Sequence, residues 1–370
     1  MHLKSLSLVN FKNYDQVDIP FCEKINCFVG ENGVGKTNIL DAVHYLALCK
    51  SNLNPVDSQN IRYEQDFCVV QGVFERKGKE ENIFCGIRKQ KKKQFKRNKK
   101  DYKKLSEHIG LIPLVMISPA DSLLINGGSE ERRQFMNGVI AQYSRVYLDN
   151  LIQYNRALNQ RNRLLKDFAF SHTFDREMLE VWDDQLVRYG EPIYEERRRF
   201  VDDLLPVFND FHTHVSGMRE RVKLTYESQL NDSVFREGIQ STREKDRIIQ
   251  YSTFGIHKDD LGMTLGDYSM KKSGSQGQQK TFLVALKLAE FEFIRKLTQI
   301  PPILLLDDIF DKFDARRVKQ IIGLVAENQF GQIFITDTNE KRLLGILEEI
   351  PADHRVYNIN QGGTLEEMEA

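Results

Sequence analysis

Gly30-Glu31-Asn32-Gly33-Val34-Gly35-Lys36-Thr37 decides the reading of this chain. An apolar run before it, Ile25 to Val29, reads as a strand. After it, Ile39, Leu40, Val43 and Leu46 to Leu48 recur with helical period, which predicts a helix from Lys36 to about Cys49. A glycine-rich turn between strand and helix, ending in Gly-Lys-Thr, fits G-x-x-x-x-G-K-S/T in the setting that pattern requires. The glycines let backbone N–H groups turn inward around phosphate oxygens, and the helix start adds a field that favours an anion. Gly30, Glu31, Asn32, Gly33, Val34, Gly35, Lys36 and Thr37 are therefore candidate contacts to a nucleotide. Lys36 would reach the β and γ phosphates, and the Thr37 hydroxyl would ligate Mg²⁺.

Such a loop needs a second carboxylate to hold the metal. Ile303-Leu304-Leu305-Leu306-Asp307-Asp308 reads as a buried strand that ends in two acids. Asp307 is placed to hold Mg²⁺ through water, and Asp308 to polarise the attacking water. Upstream of it, Ser273-Gly274-Ser275-Gln276-Gly277-Gln278-Gln279-Lys280 precedes a long apolar-periodic stretch, Thr281 to Leu297. Ser275 and Gly277 at that helix start make a second anion-binding terminus. In that position the segment resembles the signature motif of ATP-binding-cassette (ABC) ATPases, and Asp311-Lys312-Phe313-Asp314 stands where that family has its D-loop.

The chain has 370 residues, enough for two domains of ~150 residues or one large domain with an insertion. Lys plus Arg and Asp plus Glu are both 53, so the net charge is zero. That excludes a globally basic nucleic-acid binder and leaves room for a local basic patch. The apolar runs Leu111 to Ile117 and Ile300 to Leu306 fall far short of the ~20 residues that cross a bilayer. With no signal-peptide pattern at the N-terminus, the expectation is a cytoplasmic chain without a membrane partner. Cys22, Cys27, Cys49, Cys68 and Cys85 are odd in number and form no C-x-x-C, which points to reduced core cysteines.

Along the chain, Leu3 to Phe11 alternates like a strand, and Phe67 to Phe74 and Asn82 to Arg88 read as an antiparallel pair turning at Arg76-Lys77-Gly78-Lys79. From Ser129 to about Val215 glycine becomes rare. Trp182, Leu186, Tyr189 and Ile193 form a helical stripe, with Pro192 expected to start, kink or break a helix. Strand patterns return at Val222 to Tyr226 and Gly262 to Leu265. Helix and strand then alternate to the end, with a helix at about Asp314 to Asn328 and a strand at Gln332 to Thr336. The fold class expected is α/β: an ABC-type P-loop ATPase head with a mixed sheet, residues 1–128 and 216–370, and an inserted helical arm domain, residues 129–215.

Residues 88–104 carry eleven Lys or Arg and one acid, Asp101, with Phe95 and Tyr102 interleaved. Lys91, Lys92, Lys93, Lys96 and Arg97 are candidate contacts to a DNA backbone, whose affinity would be salt-dependent and sequence-independent. On composition alone a solvated hairpin fits equally well. Asn98-Lys99-Lys100-Asp101 matches the guanine-reading N-K-x-D of GTPases, but it precedes the Asp259-x-x-Gly262 match, the wrong order for that family. His212-Thr213-His214 lacks nearby cysteine ligands and reads as a helix surface. His257 reads either as a core histidine bonded to an aspartate or, the slightly favoured reading, as a functional contact.

Several segments together resemble the RecF family of bacterial recombination mediators, which is related to the SMC ATPases. They are Asn10-Phe11-Lys12-Asn13-Tyr14, the phosphate loop with Asn38-Ile39-Leu40-Asp41-Ala42, Ser118-Pro119-x-Asp121, Arg132-Arg133-Gln134-Phe135, Gly255-x-His257-x-Asp259-Asp260-Leu261 and Ser275-Gln276-Gly277-Gln278-Gln279-Lys280-Thr281. The resemblance spans nearly the whole chain. It implies that Lys12, Asn38 and Gln278 join the nucleotide contacts, and that ATP and Mg²⁺ are the cofactors. It implies an ATP-dependent homodimer sandwiching two nucleotides, each faced by Ser275 of the other copy. It also implies binding to duplex DNA and single-strand/double-strand junctions, and action with RecR and RecO to load RecA at gaps. The chain has Lys12 and Lys258 where that family often has arginine, which keeps the charge and loses the bidentate fork. Asp308 stands where most ABC ATPases have glutamate, and no histidine follows Gln332 to Thr336, where transporter ATPases carry a switch histidine; Thr336, Asp337 or Thr338 could fill that role.

Overall fold

The structure, a computed structural model, describes residues 1–217, 220–308, 331–349 and 352–368. The segment Asp311 to Asp314 and the helix expected at about 314–328 lie outside the described residues. The chain divides into two compact units, Met1–Asp121 with Leu286–Ala370, and Ser122–Ala285.

The first unit holds two six-stranded sheets with one helix packed between them; a helix at Glu340–Leu347 and the end of the helix Gln276–Thr298 also belong to it. Strands β1 (His2–Phe11), β2 (Tyr14–Pro20), β4 (Phe67–Arg76), β5 (Lys79–Arg88), β6 (Gln94–Arg97) and β7 (Lys100–Asp101) form an antiparallel sheet in the order β2-β1-β4-β5-β6-β7. Strand alternation sends Leu6, Leu8, Val70, Phe74, Ile83 and Cys85 to its inner face. The hairpin expected at residues 67–88 is present, and β2 is a strand that the hydrophobic pattern did not announce.

The second sheet has the order β15-β14-β3-β13-β12-β8, from β3 (Ile25–Val29), β8 (Leu114–Ile117), β12 (Ile303–Asp307), β13 (Ile333–Asp337), β14 (His354–Ile359) and β15 (Leu365–Met368). All pairings are parallel except β14 with β15, so the sheet is mixed. Every residue of β3, β12 and β13 is buried, as continuous apolar runs covered on both faces must be. Helix α1 (Lys36–Leu48) packs against β4 and β5 of one sheet and β8, β12 and β13 of the other, so it is buried nearly all round. Parallel register brings the C-terminal ends of β3, β12 and β13 to one edge. Asp307 stands opposite Thr336, and Thr336 opposite Phe28, one residue before the end of β3. That edge is where an open α/β sheet places its ligands.

The second unit is built from helices α2 (Ser122–Asn126), α3 (Ser129–Tyr143), α4 (Arg145–Ser171), α5 (Arg176–Ser216), α6 (Phe235–Ile249) and α7 (Met270–Ser273), the start of α8 (Gln276–Thr298), and a small sheet β11-β10-β9. The sheet strands are β9 (Val222–Glu227), β10 (Asp260–Leu265) and β11 (Tyr268–Ser269). Residues 216–285, expected to belong with the first unit, cluster with the helices instead. Their apolar faces are used there: Phe235 of α6 lies over Gly190 of α5, where a Cβ would come within 2.2 Å of its ring, and β9 packs on α5.

Helix α5 runs through Pro192 and Pro206 without starting or breaking there. The seam it buries is Leu179, Asp183, Leu186, Gly190, Ile193, Arg197 and Phe200, at alternating four- and three-residue steps. This contact outweighs the hydrogen bond each proline removes. Trp182 and Tyr189, read from sequence as part of the stripe, lie on its border, because the centre of the seam is partly polar. Arg161 bonds Asp183, Asp246 and Ser252, and Arg197 bonds Asp259, Tyr147 and Asn137, so these buried charges are paired and hydrogen-bonded as burial demands. Among the described residues no helix is long and apolar enough to cross a membrane, and all five cysteines are buried and unbridged.

Candidate nucleotide-binding site

The turn Gly30–Thr37 leaves β3 and enters α1 at the shared sheet edge. Two of its glycines are dictated by geometry. Gly30 has φ 149°, and a Cβ there would stand 2.5 Å from the carbonyl oxygen of Ile359. Gly35 has φ 114°, and a Cβ would stand 2.3 Å from the Asn13 amide nitrogen. Lys36 is buried, its ammonium donating to the carbonyls of Gly30 at 2.8 Å and Glu31 at 2.9 Å, so it is already curled into the mouth of the turn. The turn is also gripped from outside. Asn13 donates to Val34 O at 2.8 Å and accepts from the Asn38 amide at 2.7 Å, and the Tyr14 hydroxyl donates to Gly35 O at 3.0 Å.

The Thr37 hydroxyl donates to Asp307 Oδ1 at 2.9 Å, and the Thr336 hydroxyl donates to the same oxygen at 2.8 Å. Thr336 Oγ also accepts from the Asp308 backbone N–H at 2.9 Å. Burial pushes the Asp307 carboxyl above its ordinary range, opposed by the Thr336 and Thr37 hydroxyls. Asp308 sits in the left-handed region at φ 46°. The Lys12 ammonium is buried against Asp41 at 2.5 Å. Asp41 also accepts from the Ser51 hydroxyl and the Asn52 amide, both at 2.6 Å. The lysine thus ties the end of β1 to the helix behind the turn.

In the second unit, Ser275 begins α8 with a reciprocal cap. Its hydroxyl accepts from the Gln278 N–H at 3.2 Å, and its own N–H donates to Gln278 Oε1 at 2.8 Å. Gln278 also donates to Glu220 at 3.0 Å. Ser275, Gly277 and Gln278 are exposed, or nearly so, around this terminus.

The basic run folds as the edge hairpin β6–β7, with Asn98 and Lys99 as its left-handed turn, which accounts for the N-K-x-D match. Its five candidate DNA contacts separate. Lys93 is turned inward to Cys49 O at 2.6 Å, Asp57 at 3.1 Å and the Tyr45 ring. Arg97 makes a two-pronged pair with Glu81, and Lys96 leans over Phe84, 4.0 Å from Asp101. Lys91 and Lys92 are exposed. His257 is half-buried, and its partners are not the aspartates of its own segment. Its Nε2–H donates to Ser252 O at 3.0 Å, so Nδ1 accepts from the Tyr154 hydroxyl at 2.8 Å, and burial lowers its pKa to about 4. His212 is buried beside Phe208 and Phe282 rather than on a surface, and His214 caps Asp210 O within its own helix.

A mixed sheet whose P-loop, strand-end aspartates and threonine meet at one edge defines an ABC-type ATPase head of the SMC kind. The family model of the RecF/RecN/SMC N terminal domain matches residues 2–357. The chain is 52% identical over 371 residues, all of both chains, to the DNA replication and repair protein RecF of Bacteroides thetaiotaomicron. It is 54% identical over 362 residues, 98% of each chain, to that of Parabacteroides distasonis. A solved structure of the recombination mediator protein RecF with ATP superimposes with a TM-score of 0.89 at 25% identity, covering 100% of this chain and 98% of that one. An SMC head domain from Pyrococcus furiosus shares the fold, with a TM-score of 0.57 at 17% identity. The chain belongs to the RecF family of DNA replication and repair proteins.

Proposed function

We propose that this chain is an ATP-operated, DNA-binding recombination mediator that acts in the cytoplasm. The observation that carries the reading is the 2.9 Å bond from Thr37 to Asp307, which joins the phosphate loop to the strand-end acid across 270 positions of sequence. Backbone N–H groups of residues 31–37 and the Lys36 ammonium would cradle the phosphates of ATP, with Lys36 leaving its carbonyl partners for the anion. A hydroxyl and a carboxylate already within contact of one another are the hard oxygen donors that suit Mg²⁺, which keeps most of its shell for water and phosphate. When bound, the ion would neutralise charge on the phosphates. Asp308 would accept a proton from the attacking water. Its side chain is one methylene shorter than glutamate, and a misplacement of ~1 Å costs about a hundredfold in rate, so turnover should be slow, as befits a timer.

ATP would close a homodimer in which the Ser275 helix start meets the nucleotide of the other copy. In that state the protein would hold duplex DNA and single-strand/double-strand junctions and, with RecR and RecO, promote RecA loading at gaps; hydrolysis would reset it. Sedimentation with and without ATP tests the core of this reading. Asp308→Asn should keep ATP binding, accumulate the dimer and lower hydrolysis ~100-fold or more. Ser275→Arg should keep ATP binding and remain monomeric. A Ser275→Arg protein that dimerises as the unaltered chain does would remove the two-copy site.

A further inference from the structure

Thr336 stands fully buried at the penultimate position of β13, a strand whose preceding residues Ile333, Phe334 and Ile335 are all apolar. Packing in a buried parallel strand is satisfied by valine, and a hydroxyl placed there is costly unless it is bonded. This one is bonded twice. Its single proton goes to Asp307 Oδ1 at 2.8 Å, and a lone pair takes the Asp308 N–H at 2.9 Å, so the hydroxyl has one orientation. The carboxylate oxygen it holds is the one that also receives Thr37. The amide it holds belongs to a residue in the left-handed region, which L-residues other than glycine adopt rarely and keep only where the surroundings impose it. The next residue, Asp337, is turned away to Arg342, at 2.6 Å and 3.2 Å, and to the Asn339 amide.

We infer that Thr336 is a positioning residue for phosphoryl transfer: its hydroxyl locks the Asp307 carboxylate beside Thr37 and locks the peptide from which the Asp308 side chain departs. The inference rests on the nucleotide-site reading above. In chain terms, one side chain on β13 sets the placement of both acids at the end of β12.

The full-length chain carrying Thr336→Val, which keeps the shape and removes the hydroxyl, is compared with Thr336→Ser, which keeps the hydroxyl. Steady-state hydrolysis with Mg²⁺, ATP titration by calorimetry and amide hydrogen exchange of the nucleotide-free protein are measured on each. Thr336→Val should lower kcat by ~30- to 100-fold, the scale of a ~1 Å displacement, while ATP affinity changes by less than about threefold. Asp308 amide exchange should rise by about tenfold in the metal-free protein, the loss of one ~1.4 kcal/mol hydrogen bond. Thr336→Ser should restore kcat to within about threefold and restore the exchange protection. Turnover of Thr336→Val within about twofold of the unaltered chain overturns the inference, as does a serine variant as impaired as the valine one, or an unchanged Asp308 amide. An unaltered chain that binds no ATP would bring down the nucleotide-site reading itself, a result distinct from normal turnover in Thr336→Val.

Discussion

The turn Gly30–Thr37 is held from outside, whereas the helix start at Ser275 holds itself. The turn's carbonyls and hydroxyl are bonded by Asn13, Tyr14 and Asp307, and Ile359 presses on Gly30. Its shape is therefore the product of four separated stretches of chain, the turn itself included. At Ser275 the cap closes within four residues, Ser275 to Gln278, with Glu220 bonded behind it. Both are helix starts, whose first backbone N–H groups suit an anion. The difference is that the first can be loosened from a distance through any of several holders, and the second mainly through its own residues.

The largest effect expected from breaking the first site comes from its one cation. Lys36→Met should weaken ATP binding by roughly 3 kcal/mol, over a hundredfold, in a calorimetric titration, because a charge-assisted contact in a dry site is lost. Unchanged affinity would sink the phosphate-loop assignment.

Each unit also contains a histidine wired alike, His108 buried and His257 half-buried, and both make the fold sensitive to acid. His108 donates from Nε2 to Leu46 O at 2.7 Å and accepts from the Tyr102 hydroxyl at 2.9 Å, as His257 does with Ser252 and Tyr154. Burial lowers both from 6.5 to about 4. Between these values the unfolded chain binds protons that the folded imidazoles refuse, so stability falls as pH falls from about 6.5 towards 4. At pH 5.5 each histidine should cost about 1.4 kcal/mol, read as a drop in denaturant midpoint. His44, also lowered to about 4 by burial, adds to this, so His257→Gln should remove no more than about a third of that pH dependence; a full dependence in the variant would place the titration elsewhere.

Asn13→Ala tests the outside grip directly. With Val34 O and the Asn38 amide both released, ATP affinity should fall about tenfold, equivalent to one good hydrogen bond. Ser275→Ala is the counterpart at the self-capped start and should cost about 1 kcal/mol of thermal stability. If Asn13→Ala bound ATP as the unaltered chain does, the turn would be self-sufficient after all and the contrast would collapse. The smallest effect concerns the basic hairpin. Changing Lys91 and Lys92 to Gln should flatten the log–log salt dependence of duplex binding by about 0.9 per lost phosphate contact. Lys93→Gln should instead lower stability and spare the slope, since its ammonium is spent on Asp57 and Cys49 O.

Why some features were legible and others were not follows from range. The phosphate loop, the double-aspartate strand and the capped start at Ser275 are local chemistry, carried by consecutive residues with a definite period around them. The α5 seam escaped because Asp183, Gly190 and Arg197 sit in its centre, and a polar residue enters a hydrophobic seam only when another element supplies its partner. The boundary at residue 216 escaped for a related reason. Whether β9 and α6 join the helices depends on which apolar face they meet, and Phe235 finds its place over Gly190. Lys93 and Arg97 read as part of one charge run because sequence shows charge and not direction; pairing with Asp57 and Glu81 separates them from Lys91 and Lys92.

By itself the amino-acid sequence determined that this chain would make an α/β head with a P-loop, a strand ending in Asp307 and Asp308, and a helix opening at Ser275, because each depends on backbone geometry and hydrophobic period within a few residues. Only the tertiary structure decided that Thr37, Asp307 and Thr336 share one oxygen, that Asn13 and Tyr14 hold the turn, and that Lys12 belongs to Asp41. The physical reason is that parallel strands far apart in sequence end at a common edge. Which side chains meet there is set by register across the sheet, a property of neighbouring strands and not of any one of them.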